Sequence, residues 1–413
     1  MKHFIIKGIL LTLGILLISG CHDNDLIQQT SVGAPVNVVL DFGTTNHEKV
    51  QIKTRTTYDL YYESMVRNVY VFVFANNSKI YGHYFNEANL DDTGSKEYWT
   101  VDNMTSDNTG NQTSGTLHMS VPSVSGEAEI VLIANIDLDF MNVSQERLGL
   151  VRTKQDLNEL VVSLNQEIPD RNAGYFMMSG SKSNVSISQD GVISVPDGKI
   201  MLKRLDAKVE VNVRINPNEE SKNQKVEEFT PESWQIINLP KSSHIVPSDI
   251  ALDLVEDSYF SIGPKNFETT ENEVINGNAT GGVLHGFSFY TLENKRSGDA
   301  KKSVNGNFHE RERRIKNSDG TYNTENGLWE YAPELATYMI IKGELKMLVN
   351  PGLTTEQHLI ADVTYYVHLG DFAKDKDNYD VTRNTNYKYT ININSSNTIQ
   401  KIGNKIKQTE QDQ

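Results

Sequence analysis

The residue whose position indicates covalent chemistry is Cys21, the one cysteine among 413 residues. It follows an apolar run at residues 9–18, and Lys2 and Lys7 precede that run. A basic start, an apolar stretch of about ten residues and a small-residue exit are typical of a secretory signal peptide. The run is shorter than the roughly 20 apolar residues that a stable membrane span requires. We therefore expect residues 1–20 to be a signal peptide.

The exit from this run, Ile18-Ser19-Gly20-Cys21, resembles the lipobox of bacterial lipoproteins. In such proteins the peptide bond before the cysteine is cut and the cysteine is acylated, which here is the bond between Gly20 and Cys21. The alternative is a chance cysteine beside an ordinary signal. The exported chain has no second cysteine for a disulfide, so a hydrophobic core must stabilise it.

The motifs that could support enzymatic chemistry are isolated. The ten histidines include no His-Glu-x-x-His pattern, which disfavours a zinc site. Ser179 and Lys182 form a Ser-x-x-Lys pattern, but no Lys-Thr-Gly motif accompanies it. The loop at residues 375–380 begins like a calcium loop, yet it has Asp380 at the glycine position and Asn386 at the glutamate position. We expect no catalytic residue, no metal and no cofactor.

The charge of the chain excludes one class of partner. The formal net charge is −15, from 39 basic and 54 acidic residues. Binding to nucleic acid through a basic face requires clustered lysine and arginine. We therefore expect no nucleic-acid partner.

Most of the chain consists of short segments with alternating apolar residues, the pattern of half-buried strands. The apolar side chains that share one face at residues 36–42 are Val36, Val38, Leu40 and Phe42. At residues 68–75 both faces are apolar, which predicts a central strand. Similar segments lie at residues 129–135, 208–215, 286–294, 336–346, 362–370 and 387–393. The side chains that share a face in the last segment are Tyr387, Tyr389, Ile391 and Ile393.

Many short strands with few helices predict an all-β protein of antiparallel sandwiches. The chain is too long for one sandwich, so we divide it near residue 200. The predicted parts are the signal peptide 1–20, an N-terminal segment 21–55, an N-terminal sandwich 56–200, a C-terminal sandwich 201–395 and a polar tail 396–413.

One helix is predicted to cover an end of a sandwich. Thr153 and Asp156 resemble a capping box. The apolar residues that follow at helical spacing are Leu157, Leu160, Val161 and Leu164.

The order of several segments is similar to that of the Bacteroidales-type fimbrillins, lipoprotein pilus subunits that include major, accessory, tip and anchor proteins. These segments are the lipobox, the strand at 36–42, "KTRTT" (53–57), "VRNVYVFVF", "EIVLIAN", "LKRLDAKVEVNV", "SWQIINLP", "FSFYTLEN", "TYMIIKG" and "YDVTRNTNYKYTINI". The resemblance extends from Cys21 to about residue 393. "LKRLDAK" and "RNTNYKYTI" carry most of its weight.

The resemblance implies two transthyretin-like β-sandwich domains in a protein carried to the outer membrane by its lipid. It implies that an extracellular arginine-specific protease cuts the loop after the first strand, here between Arg55 and Thr56. The first strand would then leave a groove, with the apolar residues of 36–42 as its pocket-filling side chains. A strand from the C-terminal region of a neighbouring subunit fills such a groove by β-augmentation. Other fimbrial subunits are the implied partners, together with a host or bacterial surface ligand.

The tail departs from this family pattern. It has no apolar residue after Ile406, and Ile399 falls on the opposite strand face from Ile402 and Ile406. We therefore expect residues 398–406 to be a poor strand. Either the segment with Tyr387, Tyr389, Ile391 and Ile393 helps to form the donor strand, or the subunit accepts a strand without donating one.

The leading interpretation is a structural, non-enzymatic subunit of a cell-surface fimbria that supports adhesion. One alternative is a permanently lipid-anchored module that binds a glycan or host ligand, with tyrosines at residues 58–64 or 365–366 stacking on sugars. Another is a fimbrial anchor that is not processed. In both alternatives Cys21 stays attached to the membrane. A secreted hydrolase is a third interpretation.

Overall fold

The computed structural model describes residues 30–45, 48–51, 61–103, 113–165, 175–215, 224–248, 252, 255–269, 274–275, 278–279, 285–296, 301–303, 311–314, 329–372, 378–393 and 401–408. Within these ranges, no helix is long and apolar enough to cross a membrane.

Strands dominate the first half of the described chain. The elements are β1 (Val32–Thr44), β2 (Glu48–Gln51), β3 (Val69–Ala75), β4 (Ser78–Phe85), β5 (Tyr98–Asp102), β6 (Ser114–Ala134), α1 (Gln145–Gly149), α2 (Lys154–Asn158), β7 (Val161–Ser163), β8 (Met178–Ile187), β9 (Ile193–Ser194) and β10 (Ile200–Arg204). Short 3-10 helices lie at Tyr61–Ser64 and Glu87–Asn89.

The second half has the same character. Its strands are β11 (Asp206–Ile215), β12 (Gln224–Pro240), β13 (Ser242–His244), β14 (Tyr259–Lys265), β15 (Glu268–Thr269), β16 (Val274–Ile275), β17 (Asn278–Ala279), β18 (His285–Leu292), β19 (Lys301–Ser303), β20 (Arg311–Arg314), β21 (Trp329–Tyr331), β22 (Tyr338–Val349), β23 (Gln357–His368), β24 (Thr385–Ile393) and β25 (Lys401–Gln408). A 3-10 helix lies at Glu256–Ser258.

The first sandwich is built around β6, which has 21 residues. The first half of β6 pairs with β1 and β5, and its second half pairs with β3 and β8. β10 pairs with both β1 and β8, so β6, β1, β10 and β8 form a closed circuit. β4 extends the sheet beyond β3, and β9 extends it beyond β8. This circuit encloses the first hydrophobic core, and β1 is one of its walls.

The second sandwich consists of two five-stranded sheets around a second core. One sheet has the order β15-β18-β11-β24-β2, and the other has the order β14-β12-β22-β23-β25. Most neighbours are antiparallel. The parallel exceptions among the described strands are β1 with β10, β11 with β24 and β2 with β24. The predicted all-β fold of two sandwiches with a few short helices is confirmed.

The chain passes from the first sheet to the second at the buried residue Leu205, between β10 and β11. The predicted boundary at residues 200 and 201 lies a few residues earlier and remains a proposal. The N-terminal segment touches both sandwiches, because β1 belongs to the first sheet and β2 pairs with β24 in the second. A single segment near the N-terminus therefore bridges the two halves of the molecule.

Every strand segment predicted from alternation overlaps a strand of the structure. The segment with two apolar faces is β3, and all seven of its residues are buried. Its inner face contributes Val69, Val71 and Val73 to the first core. Its outer face contributes Tyr70, Phe72 and Phe74 to a cluster that also contains Leu148 of α1 and Leu157 of α2. Both faces of β3 are buried because the first core covers its inner face and the two short helices cover its outer face.

The predicted helix is correct at its start and wrong at its end. The hydroxyl of Thr153 accepts a hydrogen bond from Asp156 N at 3.0 Å, and the Asp156 carboxylate accepts one from Thr153 N at 2.9 Å. Hydrogen bonds from Arg152 N and Thr153 N to this carboxylate lower the pKa of Asp156. The helix then stops at Asn158, and Val161 begins β7, which pairs with β13. β-branched residues favour strands, and a paired strand buries Val162 in the same cluster that a helix would have reached.

The prediction of a poor strand at the tail is also wrong over residues 401–406. β25 forms the edge of the second sandwich and pairs antiparallel with β23, for example Ile402 with Val363 and Ile406 with Ala361. Pairing at a sheet edge depends on backbone hydrogen bonds, which do not require alternating apolar side chains.

Candidate functional site

The candidate site is the space between β6 and β10 that β1 fills, which we call the β1 groove. β1 pairs antiparallel with β6 from Pro35 to Gly43 and parallel with β10 from Phe42 to Thr44. β1 therefore has a partner strand on both sides, and its removal would expose two strand edges.

The pleat of β1 turns its apolar face inward. Val38, Leu40 and Phe42 are 2%, 1% and 1% exposed, whereas Val39 on the other face is 51% exposed. Val36 is partly buried and packs against the same core. The four side chains that the sequence placed on one face are thus together in the groove.

Phe42 occupies the tightest pocket of the groove. It pairs with Gly115 of β6, and its ring lies where a side chain at position 115 would stand. A Cβ atom at that glycine would also come within 2.6 Å of the carbonyl oxygen of Thr100. Glycine is required here because the ring and a neighbouring strand approach the backbone closely.

The groove ends in three polar residues, Thr113, Arg204 and Asn384, which we call the polar end. Thr113 N donates to the hydroxyl of Thr44 at 3.2 Å. Arg204 Nη1 donates to the carbonyl oxygen of Thr45 at 3.2 Å, and Asn384 Nδ2 donates to the Thr45 hydroxyl at 3.0 Å. All three residues of the polar end are buried.

The polar end joins the two motifs that carried most of the sequence resemblance, "LKRLDAK" and "RNTNYKYTI". The side-chain oxygen of Asn384 accepts from Arg204 N at 3.2 Å, and Asn384 N donates to Asp206 O at 2.8 Å. Asn384 has a φ of +55°, a left-handed conformation that asparagine tolerates better than most residues. Because Asp206 begins β11, these bonds fix the end of the groove against the second sandwich.

A second buried cluster lies at the junction and consists of charged residues. The Glu63 carboxylate is 2.8 Å from Lys208 Nζ and accepts a hydrogen bond from Tyr290 OH at 2.6 Å. Glu210 lies 3.6 Å from Lys208 and 3.0 Å from Lys388. Glu63 is 0% exposed, so its charge is compensated by partners from the second sandwich rather than by water.

The predicted donor residues lie on β24, in the middle of the second sandwich between β11 and β2. Tyr387, Tyr389 and Ile393 are buried, and Ile391 is partly buried against the same core. Burial raises the pKa of Tyr387 to about 12, although a hydrogen bond from Thr382 N at 2.8 Å opposes the shift. Burial also raises the pKa of Tyr389. The role of this segment as a donor remains a prediction.

The lipidation and cleavage residues Gly20 and Cys21, and the processing residues Arg55 and Thr56, lie outside the described residues. Their roles remain predictions.

The residues of the isolated enzyme-like motifs are buried or bound to neighbouring side chains and backbone groups. Ser179 is buried in β8, and Lys182 is bound to Asp197 at 2.5 Å. Asp380 accepts a hydrogen bond from Arg296 N at 2.5 Å. In the part of the chain that the structure describes, no three histidine, cysteine or acidic side chains are grouped as metal ligands.

The sequence did not predict that four residues of these two clusters, Thr45, Glu63, Arg204 and Asn384, are brought together with their partners. Arg204 and Asn384 belong to the two motifs that carry the resemblance. The sequence offered one signal for Arg204 and Asn384: each is a charged or amide residue flanked by strand residues. Such a residue is buried only when specific hydrogen-bond partners surround it.

The comparisons with known proteins agree with this architecture. Residues 34–226 match the model of the family described as major fimbrial subunit protein (FimA), and residues 289–391 match a domain of unknown function, DUF4906. No curated protein sequence matches the chain.

Several solved structures are similar to this chain. The tip fimbrial protein Mfa3 from Porphyromonas gingivalis, with a C-terminal truncation, is 17% identical, with 91% of this chain and 98% of that chain covered and a TM-score of 0.41. A fimbrial assembly protein from Parabacteroides distasonis is 13% identical, with 86% and 90% covered and a TM-score of 0.41. A fimbrilin (FimA) from Porphyromonas gingivalis is 15% identical, with 88% and 91% covered and a TM-score of 0.40.

Proposed function

We propose that this chain is a structural subunit of a cell-surface fimbria, because its residues 34–226 match the model of the family described as major fimbrial subunit protein (FimA). In this proposal it is exported as a lipoprotein through Cys21 and reaches the outer membrane. A protease then cuts between Arg55 and Thr56, and a strand from a neighbouring subunit replaces β1. The assembled fimbria supports adhesion, and the subunit itself has no catalytic role.

The observation that carries this proposal is the position of β1. Its three most buried side chains fill the first core, and the strand itself is one wall of the circuit that encloses this core. Loss of the strand would leave apolar pockets between two unpaired edges, the template on which β-augmentation depends. Arg55 follows β2 in the sequence, so one cut after it would separate β1 and β2 from the rest of the chain.

The buried charged cluster of Glu63 and Lys208 is consistent with the proposed cleavage site, because it holds the chain on the C-terminal side of the cut. Glu63 follows Thr56 by seven residues, and it is bound to Lys208 and Tyr290 of the second sandwich. After a cut at Arg55, this contact would hold the new N-terminal segment against the molecule. The upstream segment, by contrast, would be held by the pairing of β1 and β2, by the apolar side chains of β1 in the first core and by the polar end.

The test is the N-terminus of the mature protein taken from the cell surface. We expect Thr56 as the first residue, and an Arg55→Ala variant should retain acylated Cys21 and stay out of the fimbriae. Unboiled samples of the wild type should also contain SDS-resistant ladders. A wild-type protein that keeps acylated Cys21 at the surface would contradict processing and would favour the unprocessed anchor or the lipid-anchored binding module.

A further inference from the structure

Thr44, the last residue of β1, and Thr45, which follows it, form hydrogen bonds with the polar end of the groove. Thr44 is 0% exposed, and its hydroxyl accepts a hydrogen bond from Thr113 N. Thr44 N donates in turn to Thr113 O at 2.9 Å. A buried hydroxyl at this position satisfies the backbone donor of Thr113, which an apolar side chain of the same shape would leave without this acceptor.

Thr45 makes a denser set of contacts. Its hydroxyl donates to Leu202 O at 3.1 Å and accepts from Asn384 Nδ2 at 3.0 Å, so both capacities of the oxygen are used. Its backbone N donates to the same Leu202 oxygen at 3.0 Å, and its carbonyl accepts from Arg204. When β1 and Thr45 leave the groove, the buried guanidinium of Arg204 and the buried amide of Asn384 lose these hydrogen bonds.

A strand that replaces β1 must therefore satisfy two conditions. It must fill the pockets of Val38, Leu40 and Phe42 with alternating apolar side chains. It must also return hydroxyl groups to the positions of Thr44 and Thr45, since burial of polar groups without their hydrogen bonds is costly.

We propose that the polar end of the β1 groove selects its partner strand, and that this strand comes from a different fimbrial subunit. The matching strand has apolar residues at three alternating positions, then one residue of any type, then two consecutive serine or threonine residues. This inference rests on the proposed strand exchange and adds the sequence that the exchanged strand must have.

The sequence of the chain itself supports a different subunit as the source. The pattern occurs twice among its 413 residues, at residues 38–45 ("VVLDFGTT") and at residues 389–396 ("YTININSS"). The second copy begins within β24, whose neighbours are β11 and β2. Its release would remove Tyr389 and Ile393 from the core of the second sandwich.

The last described strand, β25, does not carry the pattern. Residues 399–408, which include the edge strand β25, contain no serine or threonine. If Ile402 and Ile406 took the places of Val38 and Phe42, Asn404 would enter the fully buried position of Leu40. The tail of a second copy is therefore a poor match for both the pockets and the polar end.

Peptide exchange into the cleaved protein tests the proposal. A full chain with a specific protease site in place of residues 53–57 is cut, and labelled synthetic peptides compete for the groove. The peptides are residues 34–47, the same peptide with Thr44→Val and Thr45→Val, and residues 398–411. We expect the valine peptide to bind at least about tenfold more weakly than the native one, and the tail peptide not to compete.

A protein variant separates recognition from general loss of affinity. In the Asn384→Ala protein, the difference between a native peptide and a Thr45→Val peptide should shrink, because the donor that reads the hydroxyl is missing. The peptide series needs no change in the groove, so it stays decisive if this variant does not fold.

The outcomes distinguish this proposal from the one it rests on. Equal binding of the native and valine peptides would overturn the selection by hydroxyls, and strong competition by the tail peptide would overturn the heterotypic partner. Entry of no peptide at all, the native one included, would refute strand exchange and hence both proposals.

Discussion

β1 and β24 are similar in sequence and differ in how they are held. Both place three alternating apolar side chains in a core and are followed by paired hydroxyl residues. In the described part of β1, the buried side-chain hydrogen bonds lie at one end, on Thr44 and Thr45. In β24 they are spread along the strand, since the Tyr389 hydroxyl contacts Gly370 N and O at 2.8 and 2.9 Å and Lys388 contacts Glu210.

This difference separates a strand that can be exchanged from one that belongs to its own domain. Apolar contacts are non-directional, so another strand with similar side chains can restore those of β1. The contacts of Tyr387 and Tyr389 require particular backbone groups, those of Gly370, Asp380 and Thr382. A replacement strand would have to reproduce those directions as well.

The largest expected effect comes from emptying matched pockets in the two strands. Phe42→Ala should lower the free energy of unfolding by about 3–5 kcal/mol and Ile393→Ala by about 2–5 kcal/mol, because each leaves a cavity. Chemical denaturation of the intact proteins measures both. In protein that has been cut and has lost its N-terminal segment, a peptide of residues 34–47 should restore stability, and the same peptide with Phe42→Ala should restore less, whereas Ile393→Ala should keep its full effect with either peptide. Equal stabilisation by the two peptides would contradict the filling of the Phe42 pocket by an exchangeable strand.

A smaller effect is expected from the hydroxyl that ties β24 to its domain. Tyr389→Phe removes both hydrogen bonds to Gly370 and leaves buried backbone groups without that partner, at a cost of about 1–3 kcal/mol. Urea unfolding followed by tryptophan fluorescence reports the change. Tyr98→Phe, at a half-buried site in the first sandwich, is the matched control and should change the stability by less. Equal losses in the two variants would mean that the Gly370 contacts do not hold β24.

The smallest effect is a difference in alkaline stability. Burial raises the pKa of Tyr387 to about 12 from its ordinary value near 10, so the folded state favours the neutral phenol. Its contribution is complete below pH 10 and is lost as the pH rises from 10 towards 12, by about 1 kcal/mol per pH unit. Between pH 9 and pH 11, the wild type should therefore lose more unfolding free energy than Tyr387→Phe. Parallel losses in both proteins would show that another group governs this range.

Several features followed from the sequence because they depend on local periodicity. The apolar face of residues 36–42 follows from a period of two, and the capping box at Thr153 follows from a spacing of three. The same local rule failed at Val161, where pairing with β13 outweighed helical spacing. It failed again at the tail, where β25 pairs with β23.

The sequence by itself determined that this protein is a mainly β chain with one cysteine, a resemblance to fimbrillins and an apolar first strand. The tertiary structure alone decided that β1 lies between β6 and β10, that β24 is locked in its own core, and that Thr45, Arg204 and Asn384 meet at one end of the groove. Alternation specifies which side chains share a face of a strand. It carries no information on which distant strand becomes the neighbour, and Thr45 and Asn384 are separated by 339 positions in the chain.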